Sequence, residues 1–179
     1  RRLGIHFIPE ERLGRGAVPE HSLSENAGLT TFHSGLLSRG FLRLSARRAR
    51  AQEMISRMDV RCSGPEAAAT SLSGGNLQKF IVSREMDLEP KVLIAEQPTW
   101  GVDVGAAAAI RQRLLDLRDQ GVAILIVSEE LEELMEICDR IQVMFRGQLS
   151  APVAVGQTSI ENIGLAMAGD FNALEATHA

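Results

Sequence analysis

The run Leu72-Ser73-Gly74-Gly75-Asn76-Leu77-Gln78-Lys79 is the stretch of this sequence most suited to chemistry. It reads as a turn of small residues opening into a helix near Asn76. Two adjacent glycines remove side chains, so a ligand can approach the backbone closely. A helix starting there aims its free N–H groups and the positive end of its dipole over the turn. That is the equipment for holding an anion, most often a phosphate. A second candidate follows Pro90. Val92-Leu93-Ile94-Ala95 is a short apolar run with Glu96, Gln97, Pro98 and Thr99 at its end. Polar residues at the C-terminal end of a buried strand lie where open α/β sheets bind ligands.

These segments need elements to position them. Gly4 to Pro9 reads as a short strand, and Glu10 to Ser22 as a loop. A helix is expected from Ser24-Glu25-Asn26, the pattern weakens from Thr30 to Gly40, and Arg43 to Met58 has helical spacing. The helix after the glycine turn runs to about Met86. Val92–Ala95 and Val122–Val127 read as buried strands, with helices over Ala106–Gln120 and Glu129–Cys138. Ile141–Phe145 reads as a third strand and Arg146-Gly147 as a turn. Alternation of strand and helix predicts a parallel α/β sheet. The expected organisation is a helical part over about 24–90, an α/β core over about 91–150, and a tail over 171–179.

The 179 residues are enough for one domain with a core. Hydrophobic residues make up 45% and charged residues 23%, a globular balance. The net charge of −4 gives no reason to expect nucleic acid as a partner. The cluster Arg43, Arg47, Arg48, Arg50 reads as a solvated helix face. Two cysteines, Cys62 and Cys138, stand far apart, so neither a zinc site nor a disulfide framework is indicated. No apolar run approaches the length of a membrane span, and no signal peptide is recognised.

Leu72–Gln78 resembles the signature motif of the ABC-family ATPases, in the form found in sugar and nucleoside importers. Val92–Thr99 resembles the family's Walker B segment, four apolar residues followed by Asp-Glu-Pro-Thr. Glu96 stands at the magnesium-ordering aspartate, and Gln97 at the glutamate that activates water. A glutamine cannot act as a general base at neutral pH. Gly101-Val102-Asp103 resembles the D-loop, with Asp103 carrying its role. Glu129 stands at the switch position, where a histidine is usual; a carboxylate there repels phosphate. Phe7 to Arg12 resembles the Q-loop region, with Glu10 at the glutamine position. G-x-x-x-x-G-K-[ST] occurs nowhere, and the chain reads as part of something longer.

The resemblance, over roughly residues 3 to 168, implies a P-loop NTPase-like (RecA-like) α/β core with an inserted helical subdomain, lacking the P-loop. It implies ATP and Mg2+ as cofactors, with Glu96 toward the metal. ATP held by a second ATP-binding domain, in the same polypeptide or a dimer mate, would be covered by Ser73, Gly74, Gly75 and Gln78. Transmembrane permease subunits would be partners, with a substrate-binding protein engaged indirectly. The location implied is the cytoplasmic face of the inner membrane. The altered Glu96, Gln97 and Glu129 match the degenerate second half of such importers. Two alternatives are a catalytically silent scaffold half and a soluble ABC ATPase outside transport.

Overall fold

The computed structural model describes residues 3–30, 37–38 and 41–174. They divide into two compact units, Arg1–Val127 and Ser128–Ala179. The first is built on three parallel strands: β1 (Ile5–Ile8), β4 (Val92–Glu96) and β5 (Ala123–Val127), in the order β1-β4-β5. Ile5 pairs with Val92 and Ile94 with Leu125, so the carboxyl ends of β1 and β4 lie side by side. Between β1 and β4 run α1 (Leu23–Thr30), a two-residue ladder of β2 (Leu37–Ser38) and β3 (Phe41–Leu42), α2 (Leu44–Arg57) and α3 (Gly74–Met86). α4 (Val104–Asp119) connects β4 to β5.

α1 starts at Leu23, ahead of the position expected, because Ser22 and Glu25 cap it reciprocally. The Ser22 hydroxyl accepts from the Glu25 N–H at 3.1 Å, and the Glu25 carboxylate accepts from the Ser22 N–H at 2.8 Å. α3 packs against α1, α2 and β1. Its Phe80 is fully buried among Leu23 and Ala27 of α1 and Ala51 and Met54 of α2. Arg84 of α3, itself buried, donates to the carbonyl of Gly16 at 2.7 Å and to that of Asn26 at 3.3 Å, fastening the loop after β1 to the helices. The arginines of α2 are more than a solvated face. Arg47 donates to the Ser24 hydroxyl at 3.1 Å, and Arg50 reaches the Asp87 carbonyl at 3.5 Å.

The apolar runs of β4 and β5 predicted strands covered on both sides. Among the described residues, the cover lies on one face of the sheet. His6, Ile8, Leu93 and Ala95 are buried, whereas Phe7, Leu125 and Val127 on the other face are 37%, 56% and 51% exposed.

The second unit contains α5 (Leu131–Ile137), four two-residue strands and α6 (Ile160–Met167). The third strand expected over Ile141–Phe145 is not part of a parallel sheet. β6 (Arg140–Ile141) pairs antiparallel with β9 (Val153–Ala154), and β7 (Met144–Phe145) pairs antiparallel with β8 (Gln148–Leu149). Arg146 and Gly147 both have positive φ, 46° and 80°, which is the turn that closes β7 on β8. The third parallel strand is β1. Within the expected tail, Phe171–Leu174 forms a 3-10 turn with Ala173 and Leu174 buried. Residues 175–179, and most of the weakly patterned stretch from Thr30 to Gly40, lie outside the described residues.

Candidate functional site

The helix of the glycine turn begins at Gly74, not at Asn76, with Ser73 as its N-cap. The Ser73 hydroxyl accepts from the Asn76 side-chain amide at 2.9 Å and its backbone N–H at 3.4 Å. The hydroxyl hydrogen of Ser73 and the N–H groups of Gly74 and Gly75 have no acceptor within the helix. Ser73, Gly74, Gly75 and Asn76 line a cleft of about 390 Å³ together with Arg12, Lys79, Gly101 and Asp103.

Asp103 enters the cleft through the loop after β4. It is the N-cap of α4, one carboxylate oxygen accepting from the Ala106 N–H at 2.9 Å. The other oxygen lies 2.8 Å from Nζ of Lys79, whose side chain is buried. The hydrogen bond from Lys79, then that from Ala106, holds the Asp103 carboxyl below its ordinary value. The glycine turn and the Asp103 loop are thus joined by a charge-assisted contact. The spacing between Lys79 and Asp103 gives no signal of this pair in sequence; it exists only once α3 and the loop are brought together.

Gln78 departs from expectation. It is 1% exposed. Its carbonyl oxygen accepts from Nε of Arg12 at 3.2 Å, and its amide donates to the Pro98 carbonyl at 3.1 Å. It braces the cleft from beneath and is not on its surface. Arg12 also donates to the carbonyl of Trp100. Burial lowers the Arg12 pKa; among the described residues, its acceptors are neutral.

Glu96 and Glu10 are adjacent at the ends of β4 and β1, the Glu10 N–H lying 3.5 Å from the Glu96 carboxylate. Gln97 has φ +45°, an uncommon backbone state for a residue other than glycine, and its N–H donates to the Val127 carbonyl at 2.8 Å. The left-handed turn redirects the chain at the strand end. Among the described residues, no group of three histidines, cysteines or acids could hold a metal alone. A lone carboxylate at Glu96 suits only a hard cation that takes its other ligands from phosphate and water, as Mg2+ does. Glu129 belongs to the Ser128–Ala179 unit, exposed and ahead of α5, whose N-cap is Glu130. It is therefore not in the first turn of that helix.

The fold that carries these groups is that of an ATP-binding cassette. A dimeric post-hydrolysis state of the cassette MJ0796 bound to ADP and Pi matches 84% of this chain and 62% of its own with a TM-score of 0.70, at 22% identity. The structure of an ATP-binding subunit of an ABC transporter matches 98% of this chain and 68% of its own, also at 0.70 and with 21% identity. No family model matches. In sequence, the chain is a homologue of the ABC-transporter ATP-binding proteins for nucleoside and sugar import. It is 41% identical over 166 residues, 92% of this chain, to the nucleoside import ATP-binding protein NupA of Lactococcus lactis subsp. cremoris. It is 41% identical over 93% of its length to the guanosine import ATP-binding protein NupO of Bacillus subtilis. It is 39% identical over 89% to the ribose import ATP-binding protein RbsA of Shouchella clausii. The chain spans about a third of the length of these relatives, 32–33%. Among the described residues, no helix is long and apolar enough to cross a membrane.

Proposed function

We propose that the chain is part of the ATP-binding subunit of an importer for a sugar or nucleoside, and that its signature turn covers ATP held by a partner ATP-binding half. The observation carrying this reading is the cleft that joins Ser73, Gly74 and Gly75 to Asp103. Ser73 offers a hydroxyl, the two glycines offer N–H groups, and α3 adds the positive end of its dipole. Asp103, fixed by Lys79 and Ala106, would carry the D-loop role toward the partner.

The chain's own site is the weaker one. Gln97 can orient water by hydrogen bonding but cannot take its proton. Glu129, a carboxylate at the position where the family usually has a histidine, would repel a phosphate brought to it. Glu96 is the residue that would hold Mg2+, which, when bound, neutralises phosphate charge. The helical part over about 24–90, the core over about 91–150, a permease partner contacted through the Glu10 loop, an indirectly engaged substrate-binding protein and a place on the cytoplasmic face of the membrane belong to the same proposal.

A Ser73→Arg variant of the full-length protein in its transporter tests it. Loss of ATP turnover and transport supports the reading. Unchanged transport refutes it and favours a silent scaffold, which the Gln97 and Glu129 departures also suit. The 179 residues alone are expected to show no turnover above a Ser73→Arg control.

A further inference from the structure

The two glycines of the signature turn are crowded. A Cβ on Gly74 would lie 2.6 Å from Nη1 of Arg12, and one on Gly75 would lie 2.6 Å from the carbonyl oxygen of Gly101. Neither glycine has a positive φ, and both lie in α3, where alanine is the better helix residue. Backbone conformation therefore gives no reason for glycine. The space freed by the missing side chains is taken by protein, from two different loops.

Arg12 reaches its place from a braced loop. The Ala17 N–H donates to the Arg12 carbonyl at 2.7 Å, the Gly16 N–H to that of Glu11 at 3.0 Å, and Arg84 clamps Gly16 from α3. From there Arg12 divides its fork. Nε donates to buried Gln78, one terminal nitrogen donates to the Trp100 carbonyl, and the other lies over Gly74. One guanidinium thus touches α3 from beneath, the first turn of α3 from outside, and the loop that leads to Asp103.

We propose that Arg12 is a positioning residue that sets the spacing between the Ser73–Gly75 turn and the Trp100–Asp103 loop, and that the missing side chain of Gly74 leaves room for its guanidinium. The inference rests on the reading that this turn covers ATP. A planar fork is required, because an ammonium on a lysine stem cannot span the same acceptors at fixed angles.

The test is a double-mutant cycle in the full-length protein assembled in its transporter, reading kcat and KM for ATP. Arg12→Ala is expected to lower kcat by roughly 10- to 100-fold, the scale of a sub-ångström to 1 Å misplacement of a reacting group, and Gly74→Ala by a smaller factor, because the end of the Arg12 side chain can give way. KM changes less, and Arg12→Lys does not rescue. With Arg12→Ala in place, Gly74→Ala adds less than about twofold, because its clash partner is gone. Gly75→Ala stays damaging in both backgrounds, since its obstacle is the Gly101 backbone. An equal cost of Gly74→Ala in both backgrounds would overturn the proposal, as would full rescue by Arg12→Lys or normal turnover in Arg12→Ala. Ser73→Arg separates the two readings: if it leaves turnover intact, the ATP-covering role fails; if it abolishes turnover while Arg12→Ala is neutral, only the positioning role fails. Hydrogen exchange gives a readout that does not need activity. Arg12→Ala should raise exchange at Leu77, whose N–H donates to the Ser73 carbonyl at 2.9 Å, and at Val102, whose N–H donates to the Thr99 carbonyl at 3.3 Å, and leave α2 protected. Unchanged protection at both residues would also sink the idea.

Discussion

Replacing Gln78 with methionine separates a structural brace from a ligand contact. Methionine keeps the length of the side chain and removes its polar atoms, so packing is nearly conserved. Two hydrogen bonds are lost. The bond from Arg12 Nε, 3.2 Å and part-buried, contributes about 1 kcal/mol after solvent screening. The bond to the Pro98 carbonyl, 3.1 Å and buried, leaves an acceptor unpaired and costs about 1–2 kcal/mol. The 3.5 Å contact with the Gln97 carbonyl is too long to add much. Burying a thioether in place of an amide returns some of this, about 0.5 kcal/mol. The net loss is about 2 kcal/mol, which at an m-value of about 2 kcal/mol/M lowers the urea midpoint by about 1 M. The assay is urea denaturation of wild type and variant, with m required to stay constant so that the midpoint reports stability alone. A midpoint unchanged within about 0.2 M, together with a tenfold rise in KM for ATP, would refute the reasoning and place the Gln78 amide on the ligand.

Phe80→Ala should cost about 3–5 kcal/mol, because the ring is fully buried between α1 and α2; thermal melting checks this, and a loss under about 1.5 kcal/mol would mean that the site collapses around the gap. Ser22→Ala removes one arm of the α1 cap and should cost about 1 kcal/mol by urea titration. The Ser22 N–H and hydroxyl also hold the Glu25 pKa below its ordinary value of 4.5, so that contribution is full above pH 4.5 and is lost as pH falls through the lower folded value. Ser22→Ala should accordingly flatten the acid limb of the stability curve. Asp103→Asn keeps an oxygen to cap α4 and loses the charge beside Lys79, so its melting temperature should fall less than that of Asp103→Ala. Cys138 has its thiol pushed up to about 11, first by burial and then by Asp139 and Glu133. Its reaction with a thiol reagent should be slow at pH 8 and rise about tenfold per pH unit up to that value, which mass spectrometry of the labelled residue can follow.

Local patterns were legible where one segment decides its own structure. The strand stopped by Pro9, the helix of Arg43–Met58 and the turn at Arg146-Gly147 all follow from apolar spacing and turn chemistry, and the structure places them within a residue or two. What was hidden depends on pairing across the chain. An apolar run such as Ala123–Val127 marks a strand but not its neighbours, so its parallel pairing with Val92–Glu96 had no signal in that segment alone. Ile141–Phe145 satisfies strand propensity equally as one parallel strand or as two short antiparallel pieces, and only the partners Val153–Ala154 and Gln148–Leu149 decide between them. The candidate site shows the same division more sharply. The type and order of Ser73, Gly74, Gly75 and Asp103 marked them individually, since each has a chemistry that a motif can encode. Arg12, Gln78 and Lys79 serve by touching residues far away in sequence: Gln78, Pro98 and Asp103 respectively. Motifs named Gln78 for a ligand and Arg12 only as the end of a loop, whereas the contacts through which they brace the cleft exist only in the folded arrangement. A motif names the groups that can meet a ligand, whereas the residues that hold those groups at the required spacing emerge from packing. A glycine can belong to either class, and Gly74 shows that the same residue type reads as ligand access in sequence and as clearance for a guanidinium in structure.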